Sequence, residues 1–214
     1  MNDKGKSDDL AAITRRTISS YDAVAESFFA GTRDHDVSQN IDALLRHIEG
    51  KPPFTILDFG CGPGRDLVRF RELGHTAVGL DGSDRFVEMA RSFSSAEVLH
   101  QNFLELDLGV ERFDGIFANA SLFHVPKAEL VRVLGQLRAS LLPRGVLFSS
   151  NPRGDNREGW KGDRYGSFHD IESWRALVTS AGFEELEHYY RPAGLPLADQ
   201  PWLASVWRKA ARAE

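Results

Sequence analysis

The stretch ILDFGCGPGRD, residues 56–66, determines the expected fold of this chain. An apolar run ends on a carboxylate and opens into a loop with Gly60, Gly62 and Gly64 at alternate positions. Glycine lets the backbone turn tightly and approach a ligand, and the DLVRFREL run that follows predicts a helix whose N-terminus faces the same point. A second apolar run, TAVGL, ends at Asp81. This order of strand, glycine loop, helix and strand predicts a site for a nucleoside-bearing cofactor.

The charges around the loop distinguish between cofactors. A dinucleotide would place a pyrophosphate beside Asp58, which would repel it, and the loop reads GxGxG instead of the GxGxxG of dinucleotide binders. S-adenosylmethionine (SAM) has no phosphate and carries an ammonium and a sulfonium, so a carboxylate at Asp58 attracts it. Asp81 can accept both ribose hydroxyls, although both aspartates could instead serve only to shape turns. The combination favours SAM, with S-adenosylhomocysteine (SAH) as its product.

Composition favours one cytoplasmic α/β domain. The chain has 214 residues, of which 42% are apolar and 27% charged, and it contains one cysteine. A single cysteine excludes an internal disulfide framework and a multi-cysteine zinc site, and we expect no metal. No apolar run is long enough to span a membrane, and the polar N-terminus does not resemble a signal peptide. The net charge of −5 offers no basic surface for nucleic acid.

Apolar runs and helical patterns alternate along the chain, which predicts a parallel sheet covered on both faces. Strands are predicted at about 54–59, 76–80, 96–100, 113–119, 144–150, 184–191 and 202–208. No crossover helix separates the last two strands, because the connection RPAGLPLADQP contains three prolines. We therefore expect the final strand to run antiparallel.

Four motifs together resemble those of class I SAM-dependent methyltransferases: ILDFGCGPGRD, GLDGS (79–83), FDGIFANASLFHVP (113–126) and LLPRGVLFSS (141–150). The resemblance implies an α/β, Rossmann-like fold with a seven-stranded, mostly parallel sheet. The chain departs from the family at LLPRG, where a Pro-Gly-Gly turn is usual. The cofactor-binding residues that this resemblance implies are Asp58, Gly60, Gly62, Gly64, Asp81, Gly82, Asn102, Phe103 and Asn119.

Residues 1–50 are expected to form a helical lid, and residues 51–214 the SAM-binding domain. Two helical stretches, about 10–30 and 38–49, precede the first strand, and the first nine residues are expected to be disordered. The connection between the helices is unusually rich in polar side chains. In the resembled family this segment folds over the cofactor, so Tyr21 and residues of the connection are candidates for contact with SAM or substrate.

Substrate chemistry is expected at the carboxyl ends of the strands. An insert of about 18 residues after the fifth strand lacks clear periodicity and is aromatic, which indicates a functional loop. His124 is the candidate general base and Tyr21 a second catalytic candidate, while a packed histidine without a catalytic role is the ordinary alternative. The candidate substrate-binding residues are Asp36, Asn40, Phe123, Asn151, Arg153, Trp160, Tyr165, Tyr190 and Arg191.

Five further segments resemble the methyltransferase domain of ovothiol synthases and its stand-alone relatives: HDVSQN (35–40), ANASLFHVP (118–126), NPRGDN (151–156), GWKGDRYG (159–166) and ELEHYYRPAGLP (185–196). This resemblance implies N-methylation of the imidazole of 5-thiohistidine or its selenium analogue. A sulfoxide synthase and a lyase would supply that substrate. Trp160 and Tyr165 would flank the ring, Arg153 or Arg191 would bind the carboxylate, and Asp36 or Asn40 the ammonium. The alternatives are another small amine, carboxylate or thiol as acceptor, and a non-catalytic SAM-binding module.

Overall fold

The structure, a computed structural model, describes residues 3–211 and the side chains of residues 9–211. Helices and strands alternate along most of it. The helices are α1 (Asp3–Asp22), α2 (Ala25–Thr32), α3 (Ser38–Leu45), α4 (Arg65–Glu72), α5 (Asp84–Ser94), α6 (Lys127–Ser140) and α7 (Ile171–Ser180). The strands are β1 (Thr55–Phe59), β2 (Thr76–Asp81), β3 (Glu97–His100), β4 (Phe113–Asn119), β5 (Leu141–Pro152), β6 (Arg157–Lys161), β7 (Arg164–Phe168), β8 (Phe183–Arg191) and β9 (Trp202–Lys209).

Within the described residues, seven strands form one sheet in the order β3-β2-β1-β4-β5-β9-β8. The first five of these pair in parallel, while β9 runs antiparallel to both β5 and β8. A parallel neighbour requires a crossover connection, and the proline-rich segment between β8 and β9 provides none. The expected seven-stranded, mostly parallel sheet with an antiparallel last strand is confirmed.

The sheet has a hydrophobic core on each face. Neighbouring residues of β1 point to opposite faces, so that Ile56 packs with Leu44 and Phe70, and Leu57 packs with Leu134. All five are fully buried. A strand that is buried on both faces needs an uninterrupted apolar run, which is why the pattern before the glycine loop was informative.

Two expectations for the N-terminal helices are wrong. Residues 3–9 form the first turns of α1 instead of lacking structure, while residues 1 and 2 lie outside the described part of the chain. The helix expected at 10–30 is two helices, because the chain turns between Asp22 and Ala25. Asp22 accepts hydrogen bonds from the Ser83 hydroxyl at 2.6 Å and from the Arg85 N–H at 3.2 Å, which fixes the end of α1 against the start of α5.

The insert after β5 also differs from its prediction, because it contains a regular hairpin. β6 and β7 pair antiparallel, with Trp160 opposite Tyr165. Gly162 begins the two-residue turn with a φ of 63°, as the first position of a type II′ turn requires. Sequence periodicity did not indicate this hairpin because polar residues occupy both of its faces.

None of the helices within residues 3–211 has the length and apolar character that a membrane span requires.

Candidate active site

A cavity of about 950 Å³ lies where the carboxyl ends of β1, β2 and β4 meet the N-terminal helices. This is the edge at which open parallel sheets bind their ligands. Its volume is at the upper end of the range of small-molecule sites, which is about 300–1,000 Å³. The cofactor candidates on its wall are Gly60, Gly62, Asp81, Gly82, Asn102, Phe103 and Asn119, and the other candidates there are Tyr21, Asp36, Phe123, His124 and Arg191.

The glycine loop forms the floor of the cavity at two of its three glycines. Gly60 and Gly62 have φ values of 79° and 52°, and both line the cavity. A Cβ on Gly60 would lie 2.5 Å from the Cβ of Ser121, so the backbone can only come this close without a side chain. Gly64 is instead required for helix packing, because its Cβ would lie 2.9 Å from the Cα of Ala90 on α5.

Asp81 presents a carboxylate to the cavity from the end of β2. Its Oδ2 accepts a hydrogen bond from the Gly62 N–H and its Oδ1 one from the Ser83 N–H, both at 2.9 Å. Burial, helped by the negative charge of Asp22, raises the pKa of Asp81 to about 6. Each carboxylate oxygen keeps a further lone pair, so Asp81 can accept two ribose hydroxyls. The buried Ser121 Oγ, also on the cavity wall, has no hydrogen-bond partner among the described residues. These groups fit a nucleoside cofactor such as SAM.

Asp58 does not reach the cavity wall. It is buried beneath the glycine loop, and its Oδ2 has no hydrogen-bond partner among the described residues. Burial and the nearby carboxylate of Asp66 raise the pKa of Asp58 well above its usual range. This environment disfavours the charged form of Asp58, and a contact between Asp58 and the cofactor stays a prediction.

Arg65 and Asp66 line the cavity and were not among the expected site residues. Two nitrogen atoms of Arg65 bond to the two carboxylate oxygens of Asp66 at 2.7 and 2.8 Å. A third nitrogen, Nη1, donates to the carbonyl of Thr32 at 2.9 Å. The signal was available, because both residues directly follow the last glycine of the loop.

The N-terminal helices cover the cavity with aromatic side chains. Tyr21 of α1 and Phe28 of α2 pack edge to face at 5.7 Å between ring centroids, and Phe28 packs against Phe86 of α5 at 5.2 Å. All three rings line the cavity. Phe28 and Phe86 were missed because, in the sequence, they are ordinary apolar helix positions.

Tyr21 and His124 form a hydrogen-bonded pair on the wall. The Tyr21 hydroxyl lies 2.8 Å from Nε2 of His124, and Nδ1 of His124 lies 2.6 Å from the backbone carbonyl oxygen of Tyr165. Burial lowers the pKa of His124 to about 4, and burial also raises the pKa of Tyr21. The expected role of His124 as a general base does not fit this arrangement. Nε2 of His124 is hydrogen-bonded to Tyr21, and burial makes protonation of the imidazole ring unfavourable.

Asp36, Arg191, Phe123 and Trp202 also line the cavity, and Arg191 lies opposite Trp202 in the pairing of β8 with β9. A guanidinium nitrogen of Arg191 donates to the backbone carbonyl of Asp36 at 3.4 Å, and the buried Nε of Arg191 has no partner among the described residues. A backbone hydrogen bond from Ser38 lowers the pKa of Asp36, so its carboxylate is ionised. A cationic and an anionic group therefore face the same part of the cavity.

The structure does not bring the other substrate candidates to the cavity. Asn40 and Asn151 support its wall from behind: Nδ2 of Asn40 donates to Oδ1 of Asn119 at 3.0 Å, and Oδ1 of Asn151 accepts from the Phe123 N–H at 3.2 Å. Both asparagines are buried.

Arg153 and Tyr190 border a separate depression of about 410 Å³. Trp160 and Tyr165 lie on the hairpin, which packs against α1, and the Trp160 ring contacts the guanidinium of Arg16 at 4.3 Å. The two aromatic residues therefore do not flank a ligand in the main cavity as expected. Among residues 9–211, no cluster of three or more His, Cys, Asp or Glu side chains could hold a metal ion.

Residues 56–145 match a family model described as a methyltransferase domain. The chain is 38% identical over 116 residues to the tRNA U34 carboxymethyltransferase of Pseudoalteromonas translucida, covering 50% of this chain and 34% of that relative. It is 32% identical over 142 residues to the malonyl-[acyl-carrier protein] O-methyltransferase of Buchnera aphidicola, covering 60% of this chain and 58% of that relative. The chain therefore spans only part of the length of either relative.

Solved structures share the fold over nearly the whole chain. A Burkholderia thailandensis 1,6-didemethyltoxoflavin-N1-methyltransferase, with bound 1,6-didemethyltoxoflavin and SAH, superimposes with a TM-score of 0.73 at 24% identity and covers 94% of this chain and 88% of its own. The [4+2]-cyclase SpnF superimposes with a TM-score of 0.71 at 18% identity, covering 92% of this chain and 96% of its own. At these identities the likeness establishes the fold, and the cyclase illustrates that the fold alone does not fix the reaction.

Residues 56–145 thus match a methyltransferase domain, and the described residues share the Rossmann-like fold of a solved methyltransferase structure.

Proposed function

We propose that this protein transfers the methyl group of SAM to a small-molecule acceptor inside the described cavity, with the N-terminal segment acting as a lid. The observation that supports this most directly is that two chemically different groups of residues line the same cavity. Gly60 and Asp81 form a cradle suited to a nucleoside at one part, and Asp36 and Arg191 offer opposite charges at another.

The residues of the chain contribute binding, orientation and exclusion of water. Bound SAM would supply a methyl group on a sulfonium, which is already a good leaving group. Asp81 would accept the ribose hydroxyls, and the rings of Tyr21, Phe28 and Phe86 would keep the reacting atoms out of water. Holding the acceptor and the methyl group in line accounts for most of the acceleration that such a reaction requires.

We propose the imidazole of 5-thiohistidine, or its selenium analogue, as the acceptor. The support is the resemblance of five segments to ovothiol-type methyltransferases, together with the residue types on the cavity wall. Arg191 suits an α-carboxylate, Asp36 an α-ammonium, and Phe123 or Trp202 a planar ring. An upstream sulfoxide synthase and lyase would then have to supply the substrate, because thiohistidine is not an ordinary metabolic amino acid.

Other acceptors of this size remain alternatives, namely another small amine, a carboxylate or a thiol. A non-catalytic SAM-binding module is the alternative from a different class. A nucleic-acid substrate is disfavoured by the acidic net charge of −5 and by the helices that cover the cavity.

Turnover in a mixture tests the proposal. The purified chain is incubated with SAM, 5-thiohistidine and histidine, with and without EDTA, and the products are separated by mass spectrometry. We expect SAH and a methylated product chiefly from 5-thiohistidine, because a site built around a sulfur anion loses that interaction when hydrogen replaces it, and we expect no effect of EDTA.

Equal methylation of the two compounds would contradict the thiohistidine assignment while retaining the methyltransferase activity. The absence of any methylated product from a panel of amines, carboxylates and thiols, with SAM binding intact, would favour the non-catalytic module.

A further inference from the structure

Three groups form a continuous hydrogen-bonded chain that ends at the cavity. Nδ1 of His124 lies 2.6 Å from the Tyr165 carbonyl oxygen, and Nε2 of His124 lies 2.8 Å from the Tyr21 hydroxyl. A carbonyl oxygen can only accept a hydrogen bond, so Nδ1 of His124 must carry a proton. Both ring nitrogens are therefore committed to protein partners.

The direction of the second hydrogen bond follows from the first. A neutral imidazole has a single N–H, so Nε2 of His124 carries a lone pair and Tyr21 must be the donor. The ring is neutral near pH 7 because burial lowers the pKa of His124 to about 4. The positive charge of Arg164, whose guanidinium lies 3.9 Å from the centroid of the Tyr21 ring, also opposes protonation of His124. The whole chain of hydrogen bonds is thus polarised from Tyr21 towards Tyr165.

The proton of the Tyr21 hydroxyl is consequently unavailable to a ligand, whereas its oxygen, which also accepts a hydrogen bond from Arg164, can accept one further hydrogen bond. Tyr21 lines the cavity, and its ring is held by Phe28 and Phe86 at centroid distances of 5.7 and 5.6 Å. We infer that His124 orients Tyr21 so that its oxygen acts only as a hydrogen-bond acceptor, and that the methyl acceptor therefore presents an N–H or O–H group to it. This inference rests on the proposed function. It narrows the methyl acceptor to compounds that carry an N–H or O–H group, and it disfavours carboxylates and thiolates.

The arrangement suits transfer to a nitrogen atom. A lone pair of the acceptor forms the bond to the methyl carbon, and the electron pair of the broken C–S bond stays on sulfur, which becomes neutral. The positive charge then resides on the acceptor, whose N–H faces Tyr21, and a charge-assisted hydrogen bond is stronger than a neutral one. The proton stays on the acceptor during transfer and is lost to water after release, because its transfer to Tyr21 would require a charged His124.

The hairpin provides the fixed end of this chain. Tyr165 lies on β7 opposite Trp160, and its N–H donates to the Thr17 hydroxyl of α1 at 3.1 Å. The Tyr165 carbonyl is thereby held at the position that fixes the His124 tautomer. The insert after β5 accordingly positions His124 through the backbone carbonyl of Tyr165, whereas the side chains of Trp160 and Tyr165 lie outside the cavity.

The tautomer of His124 is measurable without turnover. Nitrogen-15 NMR of the labelled protein, with His124→Asn used to assign the signal, should show protonated Nδ1 and unprotonated Nε2 near neutral pH. A protonated Nε2 or a fully protonated ring would overturn the inference. This result does not depend on any acceptor, so it separates failure of the inference from failure of the proposed function.

Three variants test the consequence for the reaction. The methyl acceptor in these assays is 5-thiohistidine, and the panel of amines, carboxylates and thiols provides the alternative acceptors. Tyr21→Phe keeps the ring but removes the oxygen, and we expect kcat to fall about 10- to 100-fold with SAH affinity nearly unchanged. His124→Gln can offer an oxygen near the Nε2 position, whereas His124→Asn can only replace the donor at Nδ1. We therefore expect His124→Gln to retain more activity than His124→Asn.

A merely structural role of the pair would not produce this order. Wild-type kcat in Tyr21→Phe, equal activity of the two His124 variants, or a carboxylate as the best acceptor would each overturn the inference.

Discussion

Nη1 of Arg65 donates a hydrogen bond to the carbonyl oxygen of Thr32 at 2.9 Å, which joins the first residue of α4 to the last residue of α2. The same guanidinium makes two bonds to Asp66, whose side chain is only 9% exposed. The glycine loop and the helices over the cavity are therefore linked by one side chain that itself lines the cavity.

Substitution of Arg65 by methionine should destabilise the fold. The variant leaves the Asp66 carboxylate without its ion pair and the Thr32 carbonyl without its donor, so we expect the free energy of unfolding to fall by about 2 kcal/mol. Urea denaturation measures this change. Arg69→Met on the same helix is the matched control, because Arg69 pairs with Glu72 on the surface and its loss should cost less than about 0.5 kcal/mol. Equal effects of the two substitutions would argue against a structural role for the Arg65 link.

Replacement of Gly60 by alanine should impair cofactor binding. The φ of 79° is unfavourable for alanine, and the new Cβ would lie 2.5 Å from the Cβ of Ser121. We expect SAH affinity, measured by calorimetry, to fall by at least about tenfold. Gly135→Ala is the control, because that glycine lies within α6 with no atom near the added Cβ, and alanine there should stabilise the helix by up to about 1 kcal/mol. Wild-type SAH affinity in Gly60→Ala would mean that the loop can move away from Ser121.

The affinity for SAH should depend on pH through Asp81. Burial raises the pKa of Asp81 to about 6, and the ribose hydroxyls need the ionised carboxylate as their acceptor. Affinity should therefore be constant above about pH 7 and fall, by up to about tenfold for each pH unit, as the pH drops below about 6. Calorimetric titrations across this range provide the measurement. An Asp81→Asn protein should bind more weakly at neutral pH and lack this dependence, and a flat profile in the wild type would contradict the assignment.

Trp160 and Phe123 should differ in their effects on the acceptor. Trp160 is 42% exposed on the hairpin and lies outside the cavity, so Trp160→Ala should leave the KM for the acceptor within about twofold of wild type. Phe123 lines the cavity, and Phe123→Ala should raise that KM by at least about fivefold, because apolar contact with the acceptor is lost. Steady-state kinetics with the acceptor identified by mass spectrometry decide this point. The reverse order of effects would show that the hairpin closes over the acceptor in the working enzyme.

The position of the glycine loop and Asp81 at the cavity was largely predictable from sequence because its signals are local. β1, the glycine loop and β2 follow one another directly, and each has a distinctive residue pattern. The same local signal did not indicate that Asp58 is buried away from the cavity wall. Burial is decided by the neighbouring strands and helices, which sequence order alone does not reveal.

The part of the cavity wall that contains Asp36 and Arg191 was only partly predictable because it is assembled from distant segments. Arg153 and Arg191 were equivalent candidates in the sequence, and only the pairing of β8 with β9 brings Arg191 to the cavity and leaves Arg153 outside. The hairpin was missed because both of its faces are polar. The pairing of Tyr21 with His124 joins residues that are 103 positions apart, so no local pattern could indicate it.

Calorimetry of SAH binding to the Asp81→Ala variant tests directly whether the cavity at the end of β2 binds SAM through the carboxylate of Asp81. The wild type and a surface variant, Asp107→Ala, are the controls. Removing the carboxylate deletes two charge-assisted hydrogen bonds of about 1.5–3 kcal/mol each, so we predict a loss of at least about 100-fold in affinity, with Asp107→Ala unchanged. A folded Asp81→Ala protein that binds SAH as tightly as the wild type would contradict it.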